Sequence, residues 1–236
     1  MFFYINWSYI IYMLPVYILT LIASMLVNST YRRYSDKKSY SNMTGAEAAR
    51  KMLDDNGLYN VRIERVTGHL TDHYDPRANV VRLSTEVYDS TSISSIGVAC
   101  HECGHALQYA KNYAPIKLRN AIIPITNIGS TLAMPVILIG ILLSMIGEGF
   151  AIVAYVGVGM FATCVLFQLI TLPVEINASR RGIAYLRENA VLQGDELSGA
   201  KKVLTAAAFT YVAALATSIA QLMYLLRIVA SIRDDN

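Results

Sequence analysis

Charge is distributed unevenly along the chain. Four stretches, 1–31, 120–147, 149–174 and 203–226, contain no Asp, Glu, Lys or Arg. Each exceeds the roughly 20 apolar residues that take a helix across the hydrocarbon core of a bilayer. A soluble chain of 236 residues cannot bury so many long apolar helices, so the pattern predicts about four transmembrane helices. The fourth stretch is rich in Ala, Thr and Ser and is either a buried core helix or a span, the second being expected; its small residues suit close helix packing inside a bundle. The first has no Lys or Arg ahead of it and is longer than the apolar core of a cleaved signal, so it is expected to stay as an anchor.

Between the first two spans, residues 32–116 are the only stretch with the character of an ordinary soluble domain. Thr44-Gly-Ala-Glu47 predicts a capping box at a helix start, and Asn56-Gly57 its end. Val61, Ile63 and Val66 mark one strand. Residues 68–75 and 80–84 mark two more, with a turn at 75–79. Together they predict a short antiparallel sheet. A helix should follow, starting near Ser90 to Ser92 and running to about Lys111. Ile96, Ala99, Cys103, Ala106 and Leu107 form its apolar stripe, and Pro115 closes it. Pro173 stands where a new helix can start, over about 174–190. Gly194-Asp195 is a break, with Asp195 placed to cap the last long helix. The expected fold class is therefore an α+β membrane protein. Its predicted layout is a transmembrane helix over 1–31, a domain over 32–119, transmembrane helices over 120–174, a helix over 175–202, and a last span with its tail over 203–236.

Composition adds an orientation. The chain is 54% hydrophobic and 16% charged, with mean hydropathy +0.39 and pI about 8.7. Its basic residues flank the spans, a topology signal rather than a nucleic-acid-binding one. Arg32, Arg33, Lys37 and Lys38 follow the first span, and Lys111, Lys117 and Arg119 precede the second. Arg180, Arg181, Arg187, Lys201 and Lys202 lie between the third and fourth, whereas only Glu148 lies between the second and third. The positive-inside rule thus places 32–119 and 175–202 in the cytoplasm and both termini outside, or the C-terminus inside if the fourth stretch does not cross. Arg227 and Arg233 run against that assignment, offset by Asp234 and Asp235. A reducing cytoplasm argues against disulfides among Cys100, Cys103 and Cys164. Cys100-x-x-Cys103 has zinc or redox spacing, but neither thiol shares a helical face with the nearby histidines. Small core residues are the expected reading.

The candidate chemistry lies in His101-Glu102-Cys103-Gly104-His105. Histidines four apart stack on one face of a helix, so both imidazoles can reach one Zn²⁺. The glutamate between them can take a proton from a water on that metal. Gly104 in mid-helix implies close packing at that point. A catalytic zinc needs a third protein ligand. Glu175, directly after the third span, is either that ligand or a solvated glutamate at a helix start. Glu86, Asp89 and Glu188 read as surface charges.

Several motifs together resemble the bacterial YugP-type membrane zinc metallopeptidases. They are Met43-Thr-Gly-Ala-Glu-Ala-Ala-Arg50, Asn56-Gly-Leu-Tyr59, Leu70-Thr-Asp-His-Tyr-Asp-Pro76, Val81-Arg-Leu-Ser84, His101-Glu-Cys-Gly-His-Ala-Leu-Gln108 and Pro173-Val-Glu-Ile-Asn-Ala-Ser-Arg-Arg181. More distantly, the layout is similar to HtpX-type proteases of the gluzincin type. The resemblance implies a zincin-like domain, His101, His105 and Glu175 as zinc ligands, and Glu102 as general base. It also implies that the strand over 80–84 pairs with an extended substrate backbone. In HtpX-type enzymes an aspartate four residues after the metal-binding glutamate supports the first histidine. Here that position is Ser179, whose hydroxyl can accept from the imidazole but brings no charge. His73 falls within the resemblance and is either a donor to the substrate carbonyl or an exposed hairpin residue, the second being expected. Arg180 and Arg181 can stabilise an oxyanion, but snorkelling at the interface explains them more simply.

The expected function is a membrane-embedded zinc endopeptidase, multi-pass in a bacterial cell membrane, cleaving peptide or protein substrates at the cytoplasmic face. Two alternatives stand: a zinc hydrolase of non-peptide substrates, and a non-catalytic membrane scaffold. No nucleic-acid partner is expected.

Overall fold

A computed structural model describes residues 7–234. The α-helices are α1 (Trp7–Ser35), α2 (Gly45–Asp55), α3 (Thr85–Asp89), α4 (Ile93–Ala110), α5 (Ala114–Ser144), α6 (Ala151–Glu188) and α7 (Gly194–Asp234). The strands are β1 (Arg62–Val66), β2 (His73–Asp75) and β3 (Val80–Ser84). The fold is mostly helical, and α1, α5, α6 and α7 are long and apolar enough to cross a membrane.

The chain divides into two compact units. One takes the described residues among 1–22, 117–172 and 211–236. Its interior is small, centred on Ile137, Ala154, Val158, Leu225 and Val229. Glycines let its helices touch: a Cβ on Gly140 would collide with the Ala154 backbone, and one on Gly157 would lie 2.8 Å from the Ile137 nitrogen. Close approach through small residues is how helices associate where lipid removes the hydrophobic drive. Ile11, Leu14, Leu138, Ile152 and Met223 point outward, an exposure that water does not favour on this scale.

The second unit takes 23–116 and 173–210 and holds the larger core, including Met52, Leu53, Leu83, Ile96, Leu186 and Leu192. Its local signals were legible. Thr44 caps α2 reciprocally: the Glu47 amide donates to Thr44 Oγ1 at 3.2 Å and the Thr44 amide to Glu47 Oε2 at 2.8 Å. Gly57 ends that helix at φ +74°, in the left-handed region glycine favours. Ser92 caps α4 by accepting from the Ser95 amide at 3.2 Å.

Four expectations are corrected. The sheet is mixed, not antiparallel: its order is β1-β3-β2, with β1 parallel and β2 antiparallel to β3. The cause is the composition of β3. Val80, Val81, Leu83 and Ser84 are all fully buried, so this strand belongs in the centre, covered on both faces. Second, the strand expected over 68–75 is only three residues long. Leu70 adopts φ +54° and turns the chain before it. Third, Pro173 starts nothing, because α6 runs through it. Proline lacks an N–H both at a helix start and inside one, so the residue alone cannot distinguish them. Fourth, Asp195 lies inside the first turn of α7, after Gly194, and does not cap it. The one-turn helix α3 was not anticipated.

Candidate metal centre

The α4 motif brings its two histidines to one face, as the 3.6-residue period requires. Facing them, α6 supplies Glu175. Glu175 Oε2 lies 3.4 Å from His101 Nε2 and 3.4 Å from His105 Nε2. The three potential ligand atoms all lie within 4.8 Å of one another, and Glu175 is only 4% exposed.

The approach of the two helices is set by their backbones. A Cβ on Gly104 would overlap the carbonyl oxygen of Ala178, three residues after Glu175. A Cβ on Gly182 would lie 3.0 Å from the Cys100 carbonyl. The sequence expectation of close packing at Gly104 is thus met, with α6 as the partner.

Each imidazole is held from behind. His105 Nδ1 lies 3.0 Å from Gln108 Oε1. The Gln108 amide nitrogen donates to Val174 O at 2.8 Å and to Asn177 Oδ1 at 3.0 Å, so its oxygen must face the imidazole. The His105 Nδ1 therefore donates to Gln108, and Nε2 is the nitrogen left to face Glu175 and to bind a metal. Arg181 continues the chain, donating from Nε to Asn177 Oδ1 at 2.7 Å. His101 Nδ1 lies 2.9 Å from Ser179 Oγ, the contact that the sequence allowed for a serine at this position. Burial pulls the His105 imidazolium down, but Glu175, Glu102 and the Gln108 bond outweigh it and leave the pKa raised.

The donor set fits zinc. Bonds of about 2.0–2.2 Å in a tetrahedron put donor atoms about 3.4 Å apart, and the two His–Glu separations are both 3.4 Å. The donors, two neutral imidazole nitrogens and one carboxylate oxygen, are of the type a catalytic zinc takes while keeping one position open.

Glu102, 8% exposed, does not join the cluster. Its Oε2 accepts the Tyr74 amide at 3.1 Å, which ties the α4 carboxylate to β2. Beside it, Asp72 accepts the Ser84 amide at 2.7 Å and the Ser84 hydroxyl at 3.2 Å. Burial pushes the Asp72 carboxyl up, the Ser84 bonds partly restrain it, and the Glu102 charge adds to the rise.

Other candidates lie elsewhere. His73 is exposed, with Nδ1 2.8 Å from Thr71 O, as expected for a hairpin residue. His69 and Glu86 pair at 2.8 Å, Asp89 pairs with Arg65, and Glu188 with Arg187. Cys100 and Cys103 are free and buried, and burial pushes the Cys100 thiol up to about 12 and Cys103 well above its usual range. They are core residues.

Residues 9–230 match the family described as "Putative neutral zinc metallopeptidase". The chain is also 45% identical over 214 residues to "Putative membrane protease YugP" of Bacillus subtilis (strain 168), covering 91% of this chain and 93% of that protein. The chain belongs to this family. No solved structure gives a significant match.

In this member of the zinc metallopeptidase family, one implied feature needs correction. Strand β3 has neighbours on both sides, so it has no edge left for a substrate. The unpaired edge nearest Glu102 belongs to β2, whose Tyr74 amide points away from β3 toward the carboxylate. Sequence reasoning also missed Gln108 and Asn177. Both had a local signal: Gln108 lies three residues after His105, on the same helical face, and Asn177 two after Glu175.

Proposed function

We propose that this chain is a multi-pass zinc endopeptidase of a bacterial cell membrane, with its active site at the cytoplasmic face. His101, His105 and Glu175 would hold the metal, and Glu102 would act as general base. The observation carrying this reading is the convergence of two imidazoles and a buried carboxylate, with both His–Glu separations at the tetrahedral value and a second carboxylate alongside.

Zinc held there supplies a Lewis acid that acidifies a water and polarises a carbonyl. Glu102 takes one proton from the attacking water and hands it to the departing amine nitrogen, so one water and one peptide bond become a carboxylic acid and an amine, which then ionise to carboxylate and ammonium. The Tyr74 amide holds Oε2 of Glu102 and leaves Oε1 for that transfer. The outward amide of the three-residue strand β2 is taken by Glu102, so the choice of a peptide over a lipid amide rests on the family to which the chain belongs. The orientation rests on the basic residues around the spans.

Glu102→Gln keeps the size of the side chain and removes the base. It should retain about one zinc per chain while cleavage of an unfolded protein substrate falls by roughly 10²–10⁴-fold. His101→Ala and Glu175→Ala should lose the zinc. A Glu102→Gln variant with undiminished turnover, or a wild type without bound zinc, would refute the assignment.

A further inference from the structure

A second site lies away from the metal cluster, between the end of α1 and the start of α7. Leu26, Thr30 and Arg33 follow one another along one face of α1, at spacings of four and three. Ser198, Lys201, Lys202 and Thr205 do the same along α7. The two faces enclose a groove of about 490 Å³.

Its chemistry is graded. Leu26 and Ala206 line one part, the hydroxyls of Thr30 and Thr205 come next, and Arg33, Lys201 and Lys202 line the rest. No Asp or Glu lines it. Among the described residues, no carboxylate pairs with any of the three cations. The nearest acid along α7 in the sequence that is also buried, Glu196, is committed to the Ser39 hydroxyl and the Tyr40 amide. The groove also coincides with the change of polarity in both helices. Along α1 the uncharged run ends at residue 31, just before Arg33. Along α7 it begins at 203, just after Lys202.

We infer that this groove binds one anionic glycerophospholipid, its phosphate between Arg33, Lys201 and Lys202 and its acyl chain along Leu26 and Ala206. Three cations without protein counter-ions are complementary to a phosphate. The apolar half has no use for a free phosphate but matches a lipid tail. Basic pockets between membrane-spanning helices recognise charged headgroups by the same combination. The inference goes beyond peptidase activity and does not depend on it. It requires only that α1 and α7 lie in a bilayer.

The test is native mass spectrometry of the full-length, detergent-solubilised protein titrated with phosphatidylglycerol or phosphatidylcholine. One phosphatidylglycerol should bind per chain in preference to phosphatidylcholine. Each cation replaced should weaken it roughly fivefold, so Arg33→Gln/Lys201→Gln/Lys202→Gln together should lose about a hundredfold. Arg77→Gln/Lys111→Gln/Lys117→Gln removes the same charge elsewhere and should change binding little. Should the first triple variant not fold, Thr205→Trp fills the groove without altering charge and should expel the lipid. Equal retention of both lipids, equal losses in the two triple variants, or undiminished binding to Thr205→Trp overturns the proposal. So does inorganic phosphate binding as tightly as the lipid with the same dependence on the three cations.

Discussion

His105 Nδ1 lies 3.0 Å from Gln108 Oε1, and the direction of that hydrogen bond is fixed by what Gln108 does with its other end. Its nitrogen is committed to Val174 O and Asn177 Oδ1, so the amide cannot flip. Replacing Gln108 with Met keeps the length and removes the acceptor. Zinc affinity should fall roughly 10–100-fold, measured by competition with a chromophoric chelator. An affinity within twofold of wild type would show that Gln108 does not order the imidazole.

His101 has a weaker support. The Ser179 hydroxyl, 2.9 Å away, can accept or donate and carries no charge, so it orders the ring without raising its basicity. Ser179→Asp should tighten zinc binding and Ser179→Ala should loosen it, each by about tenfold. The ranking Asp, Ser, Ala in a single chelator series is the result to look for, and no change across the series would refute this role.

Gly104→Ala should be severe for so small a change. The added methyl meets the Ala178 carbonyl oxygen, a backbone atom that cannot rotate away, and forcing α4 and α6 apart separates the histidines from Glu175. Overpacking of this kind costs about 1–3 kcal/mol. Zinc content of the purified variant should drop even where circular dichroism reports native helix content. A full complement of zinc would mean that the helices accommodate the methyl.

Ala190 offers a gain. It follows α6 at φ +53°, where the Val191 amide closes the helix on Leu186 O at 3.0 Å. A left-handed alanine costs about 1–2 kcal/mol that glycine avoids. Glycine's freer unfolded chain returns about 0.4–1 kcal/mol of that. Ala190→Gly should therefore stabilise by roughly 0.5–1 kcal/mol and raise the apparent unfolding midpoint in detergent by a few degrees. A lowered midpoint would contradict the strain.

What the sequence disclosed follows a physical division. His101 and His105 were legible because helical period alone puts them together, Glu102 because it adjoins the first of them in a short motif, and Thr44 because a capping box closes within four residues. The apolar spans needed only composition. Glu175 was undecided by position and became specific through resemblance across many motifs. The order of the three strands was not legible. Alternation says which face a residue takes, never which strand lies beside it, and the burial of β3 on both faces was the only clue. Pro173 misled because one missing N–H serves two different places in a helix. The bond from Tyr74 to Glu102 left no trace at all, since a backbone amide has no identity in sequence.

The glycine contacts of α4 with α6 have one more implication. With Gly104 against Ala178 and Gly182 against Cys100, main chain rests on main chain and no side chain remains to compress. The joint is a hard stop in one direction only. The two helix backbones can therefore separate more readily than they can approach, and any further tightening of the centre has to come from the side-chain torsions of His101, His105 and Glu175.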